Sequence, residues 1–527
     1  MILTLSTTRK ATRYYSVMVR AALLIKMVLV LESTALAQNT VPIASSSPSA
    51  SSATQQDKPL TSGEREELLK LIRSLQERLD KLEAAQSSTA AAGPAQAPPG
   101  ETKLDPSSSD DPHVWMPPVV KEKPTSEASA QASYGRYSPN LGYKLANTEY
   151  GDLSVSIYTY ARYLNQLGLD SSYTDAFGNT KSVQNRQDFQ LQKVQVKFLG
   201  WVLDPKLRYF IYTWTSNATQ GQGAQVVVAG NVGYTFNKHF ALAAGITSLP
   251  GVRTTEGNFP FWLSVDSRHI ADEFFRPSYT SGLWLKGTIA KNVRYQVMIG
   301  NNLSTLGVSA SRIDNKFDTV SSALVWVPTG EYGQDVGDFE DHQRPTARLG
   351  VHFTRSTENK ESQPTSDTFE NTQLRLSDGT VIFTPDLFGP GTTITDARYQ
   401  MLDFDGVLKY RGFAVEGEYY FRWLNNFKGP NTAGLASLYD HGFQLQASGM
   451  VVPKVLQFYG GASRINGQYG NPWDFRAGAN WFPWKNKVVR WNTEWLYLKN
   501  SPVGYSSVPF AVGARGNVFH STLELAF

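Results

Sequence analysis

The chain has 527 residues, 12% of them aromatic, a net charge of +4 and seven histidines. It contains no cysteine, which excludes a disulfide framework and thiolate metal sites, and no histidine pair has a zinc-ligand spacing, so no cofactor is expected. A charge this small and this dispersed does not point to nucleic acid.

Mean hydropathy is −0.32. Past the N-terminus no apolar run approaches the roughly 20 residues of a spanning helix. Strands that alternate lipid-facing and lumen-facing residues would average to such a value.

The first element is a secretory signal over 1–37. Arg9, Lys10, Arg13 and Arg20 precede an apolar run from Ala21 to Leu31, and Ala35-Leu36-Ala37 follows. That is the charged, apolar and small-residue order of an export signal, too short to span a bilayer. Lys26 interrupts the run, and a start at Met18 gives a more ordinary signal. A single membrane anchor is the alternative.

Residues 38–60 are Ser, Ala, Pro and Gln without aromatics, a composition expected to stay disordered. A capping box, Thr61 to Glu64, opens a helix over 61–85. Leu68, Ile72, Leu75, Leu79 and Leu82 form an a/d seam, with Arg78 and Glu83 placed to pair between parallel neighbours. The stretch 78–83 resembles a pattern that favours parallel three-stranded coils, so a homotrimer is expected. An amphipathic helix packed on its own domain is the alternative. Residues 86–150, rich in Pro, Ala and Ser, read as a linker.

From 151 to 527 the sequence reads as one all-β domain. Period-2 segments are expected near 152–163, 187–200, 206–216, 224–236, 239–247, 281–290, 293–301 and 317–327. The rest fall near 345–356, 397–410, 413–424, 440–451, 454–464, 473–483, 487–498 and 516–527. Tight turns, such as Lys291-Asn292 and Arg411-Gly412, alternate with long links, such as 248–280 and 357–396. That alternation predicts a 16-stranded antiparallel transmembrane β-barrel, with short periplasmic turns and long external loops. The link 328–344 breaks the rule: it should be short.

The last strand places Phe519, Leu523, Leu525 and Phe527 on one face and His520, Thr522 and Glu524 on the other. An ending on the aromatic Phe527 resembles the terminal signature by which the barrel assembly machinery receives outer-membrane barrels.

With signal, coil, linker and barrel in this order, the chain resembles the phosphate-selective porin O and P family. The residues that carry this are 245–253, 281–287, 416–420, 442–446 and 478–483, in that order. The resemblance implies a trimer of barrels in the outer membrane, each with an anion-conducting pore, and a third external loop folded into the lumen. On that loop Arg253, Arg268 and Arg276 are the candidate constriction, alongside His269, Glu256, Asp266, Asp272 and Glu273.

Taking the apolar parity of each strand as lipid-facing puts Arg162, Lys193, Lys197, Lys286, Arg294, Arg348, Arg476 and Arg490 in the lumen. His352, Lys409 and Arg422 join them, as do Asp403, Asp405, Glu416, Glu418, Asp474, Glu494 and Glu524. Arg suits phosphate because its planar fork binds two oxygens. For any single side chain, pairing with an acid on the next strand is the competing reading.

The expected function is diffusion of small anionic solutes, phosphate or polyphosphate, through a water-filled channel. The alternative is a general non-selective porin whose coil tethers the outer membrane to the cell wall. No nucleophile motif supports an enzyme.

Overall fold

In the computed structural model the described residues are 137–138, 142–216, 225–256, 262–306, 308–313, 316–330, 332–333, 336–364, 373–505 and 507–527. The signal, the coil seam (Leu68, Ile72, Leu75, Leu79, Leu82) and most of the linker lie outside them.

Sixteen antiparallel strands close into a barrel. They are β1 Gly151–Leu169, β2 Gln187–Val202, β3 Asp204–Ser216, β4 Gln225–Asn237, β5 Phe240–Ser248, β6 Tyr279–Ala290, β7 Val293–Gly300 and β8 Thr319–Trp326. The second half comprises β9 Thr346–Asn359, β10 Asp396–Tyr410, β11 Phe413–Lys428, β12 Leu438–Val452, β13 Leu456–Asn466, β14 Trp473–Trp481, β15 Val489–Lys499 and β16 Gly516–Ala526. Each overlaps one of the sixteen segments expected from period-2 alternation. Consecutive strands pair, and β16 pairs back onto β1, with Thr522 opposite Arg162, so the sheet has no free edge.

Local chemistry explains the turns. Between β10 and β11 only Arg411 and Gly412 remain, both with positive φ (48° and 78°), the type I′ geometry whose twist matches a hairpin. Asn292, Lys454 and Lys485 adopt the same left-handed conformation at other tight turns. In β2, Lys193 at φ 48° marks a bulge, where the register against β1 shifts between Tyr158 and Tyr160.

Closure involves both ends of the described domain. The Phe527 N–H donates to the Ile157 carbonyl at 2.9 Å, and the Ile157 N–H donates to the Phe527 carbonyl at 2.6 Å. Below that point a strand over Gly142–Thr148, inside the expected linker, pairs with β1. Its Tyr143 meets Phe527 edge to face at 5.8 Å.

Apolar side chains gather in two places, on the outer face of the barrel and in the connections that fold over its lumen. Outward positions such as Phe189, Ile211, Leu283, Leu349, Phe404, Leu445, Trp495 and Leu523 are exposed, a belt suited to lipid. Aromatic rows run along its rim, Trp423 to Tyr439 at 5.6 Å and Trp473 to Tyr497 at 5.3 Å. Inside, long connections fold over the lumen. Leu249, Phe275, Leu376, Ile382, Phe383 and Phe510 from three of them are buried together with strand residues.

The connection over 327–345, on the end otherwise served by tight turns, is long. Asp338, fully buried within it, accepts the Gly412 N–H at 2.8 Å.

Candidate functional site: the barrel lumen

The third loop joins β5 to β6 across 249–278 and carries two short helices, α1 Arg253–Glu256 and α2 Ile270–Phe275. Small inward residues on β5, Ala241 and Ala243, leave the chain room to turn inward at Leu249. The loop is fastened along the β9–β14 wall. The Arg253 N–H donates to Glu418 Oε1 at 2.7 Å, and His352 Nδ1 donates to the Pro250 carbonyl at 2.9 Å. Arg476 NH2 donates to the Arg268 carbonyl at 2.7 Å, and His269 Nδ1 lies 2.8 Å from Asp474. Phe275 stacks on Tyr420 at 5.0 Å, and the Tyr399 hydroxyl donates to the Phe275 carbonyl at 2.5 Å.

All three candidate constriction arginines lie inside, and each has acid neighbours. Arg253 is 3.9 Å from Glu416. Arg268 is 3.1 Å from Glu273 and lies over the Trp262 ring at 3.7 Å. Arg276 pairs with the same Glu273 at 2.7 Å and reaches the Tyr505 hydroxyl at 3.2 Å. A small cavity of about 20 Å³, room for one water, opens between Thr254, Ser267, Asp272, Gln444, Tyr459 and Arg476.

The wall differs from one half of the barrel to the other. On β9–β16 the inward bases are buried and matched to acids, largely across strand pairs. Arg348 bonds Asp405, Arg422 bonds Asp440 at 2.6 Å, and Arg490 grips Glu524 through two hydrogen bonds of 2.5 and 2.9 Å. Arg476 lies 3.2 Å from Asp474 and 3.5 Å from Glu494. Glu494 also lies 3.0 Å from His520.

On β3–β8 the strands contain a single carboxylate, Asp204. Here and on β2 the inward bases Lys197, Lys286 and Arg294 are partly exposed, and Arg208 is buried among them. Lys193 bonds Asp266 of the third loop and lies over the Trp214 ring at 5.2 Å. Arg162 is fully buried and bonds Gln190 Oε1 at 2.7 Å.

Several lumen residues escape a reading by strand parity. Arg208 sits in the aromatic run Tyr209–Trp214, which hides the alternation. Arg375 and the connection over 327–345 lie in segments without period. In that connection His342 Nδ1 lies 2.5 Å from Asp338, and the Tyr332 carbonyl accepts Lys409 Nζ at 3.1 Å. Burial alone would raise the Asp338 carboxyl, but the hydrogen bonds from His342 and the Gly412 N–H hold it below its ordinary value.

No family model and no curated protein matches the chain. Among solved structures it is similar to the trimer form of in-vitro folded OmpT, an outer membrane protein of Vibrio cholerae, at 10% identity. That match covers 72% of this chain and 100% of that one, with a TM-score of 0.43. It is also similar to the outer membrane channel DcaP of Acinetobacter baumannii, at 8% identity over 72% and 99%, TM-score 0.45. OprB of Pseudomonas putida is a third, at 9% identity over 72% and 94%, TM-score 0.39. At these identities the case for function rests on this chain's own residues.

Proposed function

We propose that this chain is an outer-membrane porin, a narrow channel that favours small anions, phosphate among them. The closed sheet and its outward apolar belt support the membrane setting. The observation that carries the anion preference is the asymmetry of the wall. Lys197, Arg208, Lys286 and Arg294 project from β2–β7, where the strands hold few carboxylates, while on the opposite half bases and acids face the lumen together. Cations confined in a low-dielectric bore raise the local anion concentration above bulk. The burial of the third-loop arginines against Glu273 and Glu416 weighs toward general anion passage over a strict phosphate ring.

Phe527 would serve as the terminal signal for assembly, and the seam from Leu68 to Leu82 would hold three chains together in the periplasm. Liposome swelling tests the reading. Gluconate should enter faster than glucose in spite of its similar size, and equal rates would remove the anion preference. A peptide of residues 64–85 that sediments as a monomer would remove the coil-driven trimer.

A further inference from the structure

Inside the barrel, where β9, β10 and β11 meet the start of the third loop, one buried carboxylate is held without a hydrogen bond. Asp403 is fully buried, and neither of its carboxylate oxygens meets a hydrogen-bond donor. A buried charge left in that state is costly. Glu418, a second acid beside it, is an acceptor three times over. It takes the Arg253 N–H at 2.7 Å, the Tyr420 hydroxyl at 2.7 Å and Gln444 Nε2 at 2.6 Å.

The neighbouring imidazole is also oriented. A carbonyl oxygen only accepts, so the 2.9 Å contact with Pro250 fixes the proton of His352 on Nδ1. Nε2 then faces two carboxylates, Asp405 Oδ2 at 3.0 Å and Asp403 Oδ2 at 3.9 Å. Since a carboxylate only accepts, the position between them is filled either by a proton on Nε2 or by a metal cation that takes the proton's place. Locking one ring nitrogen on a backbone carbonyl while the other faces inward is how metal-ligating histidines are held. Asp405 is positioned for the same role, since Oδ1 takes Arg348 and leaves Oδ2 toward His352. Gly350 makes the space, for a Cβ there would fall 1.7 Å from Asp405 Oδ2.

Local charge points the same way. Asp403, Asp405, Glu416 and Glu418 are buried within this cluster. Arg348 pairs with Asp405 and Arg253 approaches Glu416, while Lys409 is engaged by the Tyr332 carbonyl and Glu340. The carboxylates of the cluster outnumber the guanidinium groups set against them.

We propose that His352, Asp403 and Asp405 bind one divalent first-row cation, Zn²⁺ or Mn²⁺. Their ligand atoms lie within 4.8 Å of one another. The 3.0 and 3.9 Å separations bracket the ~3.3 Å between ligands of a four-coordinate ion with bonds of about 2.05 Å. A mixed imidazole and carboxylate set suits these ions. The ion would give the Asp403 carboxylate a partner and, through His352 and Pro250, pin the third loop to the wall.

The test uses untagged full-length protein stripped with EDTA and titrated with Zn²⁺ or Mn²⁺ alone. One ion per chain is expected. Asp403→Asn and His352→Gln should each bind at least tenfold more weakly while keeping the gel mobility of a folded barrel. Gly350→Ala, which keeps every donor but displaces Asp405, should weaken binding too. Co²⁺ loading should give visible absorption bands that shift in His352→Gln. Wild-type protein that retains no more ion than Asp403→Asn would overturn the proposal, leaving a protonated cluster in its place.

Discussion

Lys193 of β2 and Asp266 of the third loop form an ion pair, so the loop packed on the β9–β14 wall is also bolted to the opposite side of the lumen. Asp266 accepts the Tyr160 hydroxyl at 2.5 Å as well, which makes it a junction between the wall and the loop. Asp266→Asn should cost about 2 kcal/mol, the scale of a hydrogen bond to a charged group. Noisier single channels of larger conductance are the expected result, and unchanged traces would mean the loop is held elsewhere.

A second consequence concerns the apolar cap. Ile382 and Phe383, in the connection over 360–395, are buried with Leu374, Leu376 and Phe510. Burying each contributes on the order of 2 kcal/mol. Changing both to Ser should release the cap and raise conductance severalfold without altering ion preference, since neither bears charge. Single-channel recording measures both quantities at once.

The pH response follows from Asp338. Its folded carboxyl lies below the ordinary value of 3.8, so its stabilisation is fully present above that value and is lost as pH falls through the depressed one. The connection over 327–345 should therefore stay protected from hydrogen exchange at neutral pH and lose protection in acid. Asp338→Asn should show the loss already at neutral pH. Equal exchange in both proteins across the range would contradict this.

What the sequence disclosed and what it hid divide along physical lines. Strands such as β10 are legible because Asp403, Asp405 and Lys409 alternate with Leu402, Phe404 and Leu408, and one buried face fixes the register. The bulge at Lys193 carries no comparable signal, since the alternation of Val194, Val196 and Phe198 runs on as though the strand were regular. The filled interior was hidden for another reason. Ile382, Phe383 and Phe510 lie among Gly, Pro and Thr with no period. The pairing of Arg422 with Asp440 depends on which residues stand opposite across strands, a tertiary fact. The cluster around Asp403 could be suspected only once β9, β10 and β11 were aligned, because His352 and Asp405 lie far apart in the chain.

The most direct test of the channel's central property is the reversal potential in a planar bilayer under a KCl gradient. The wall asymmetry predicts anion preference, reduced when Lys197, Lys286 and Arg294 are changed together to Gln. Each charge at about 8 Å in water-like dielectric is worth about 0.5 kcal/mol, or roughly twofold in permeability ratio. A cation preference in the unmodified protein, or no change in the triple variant, would contradict the account.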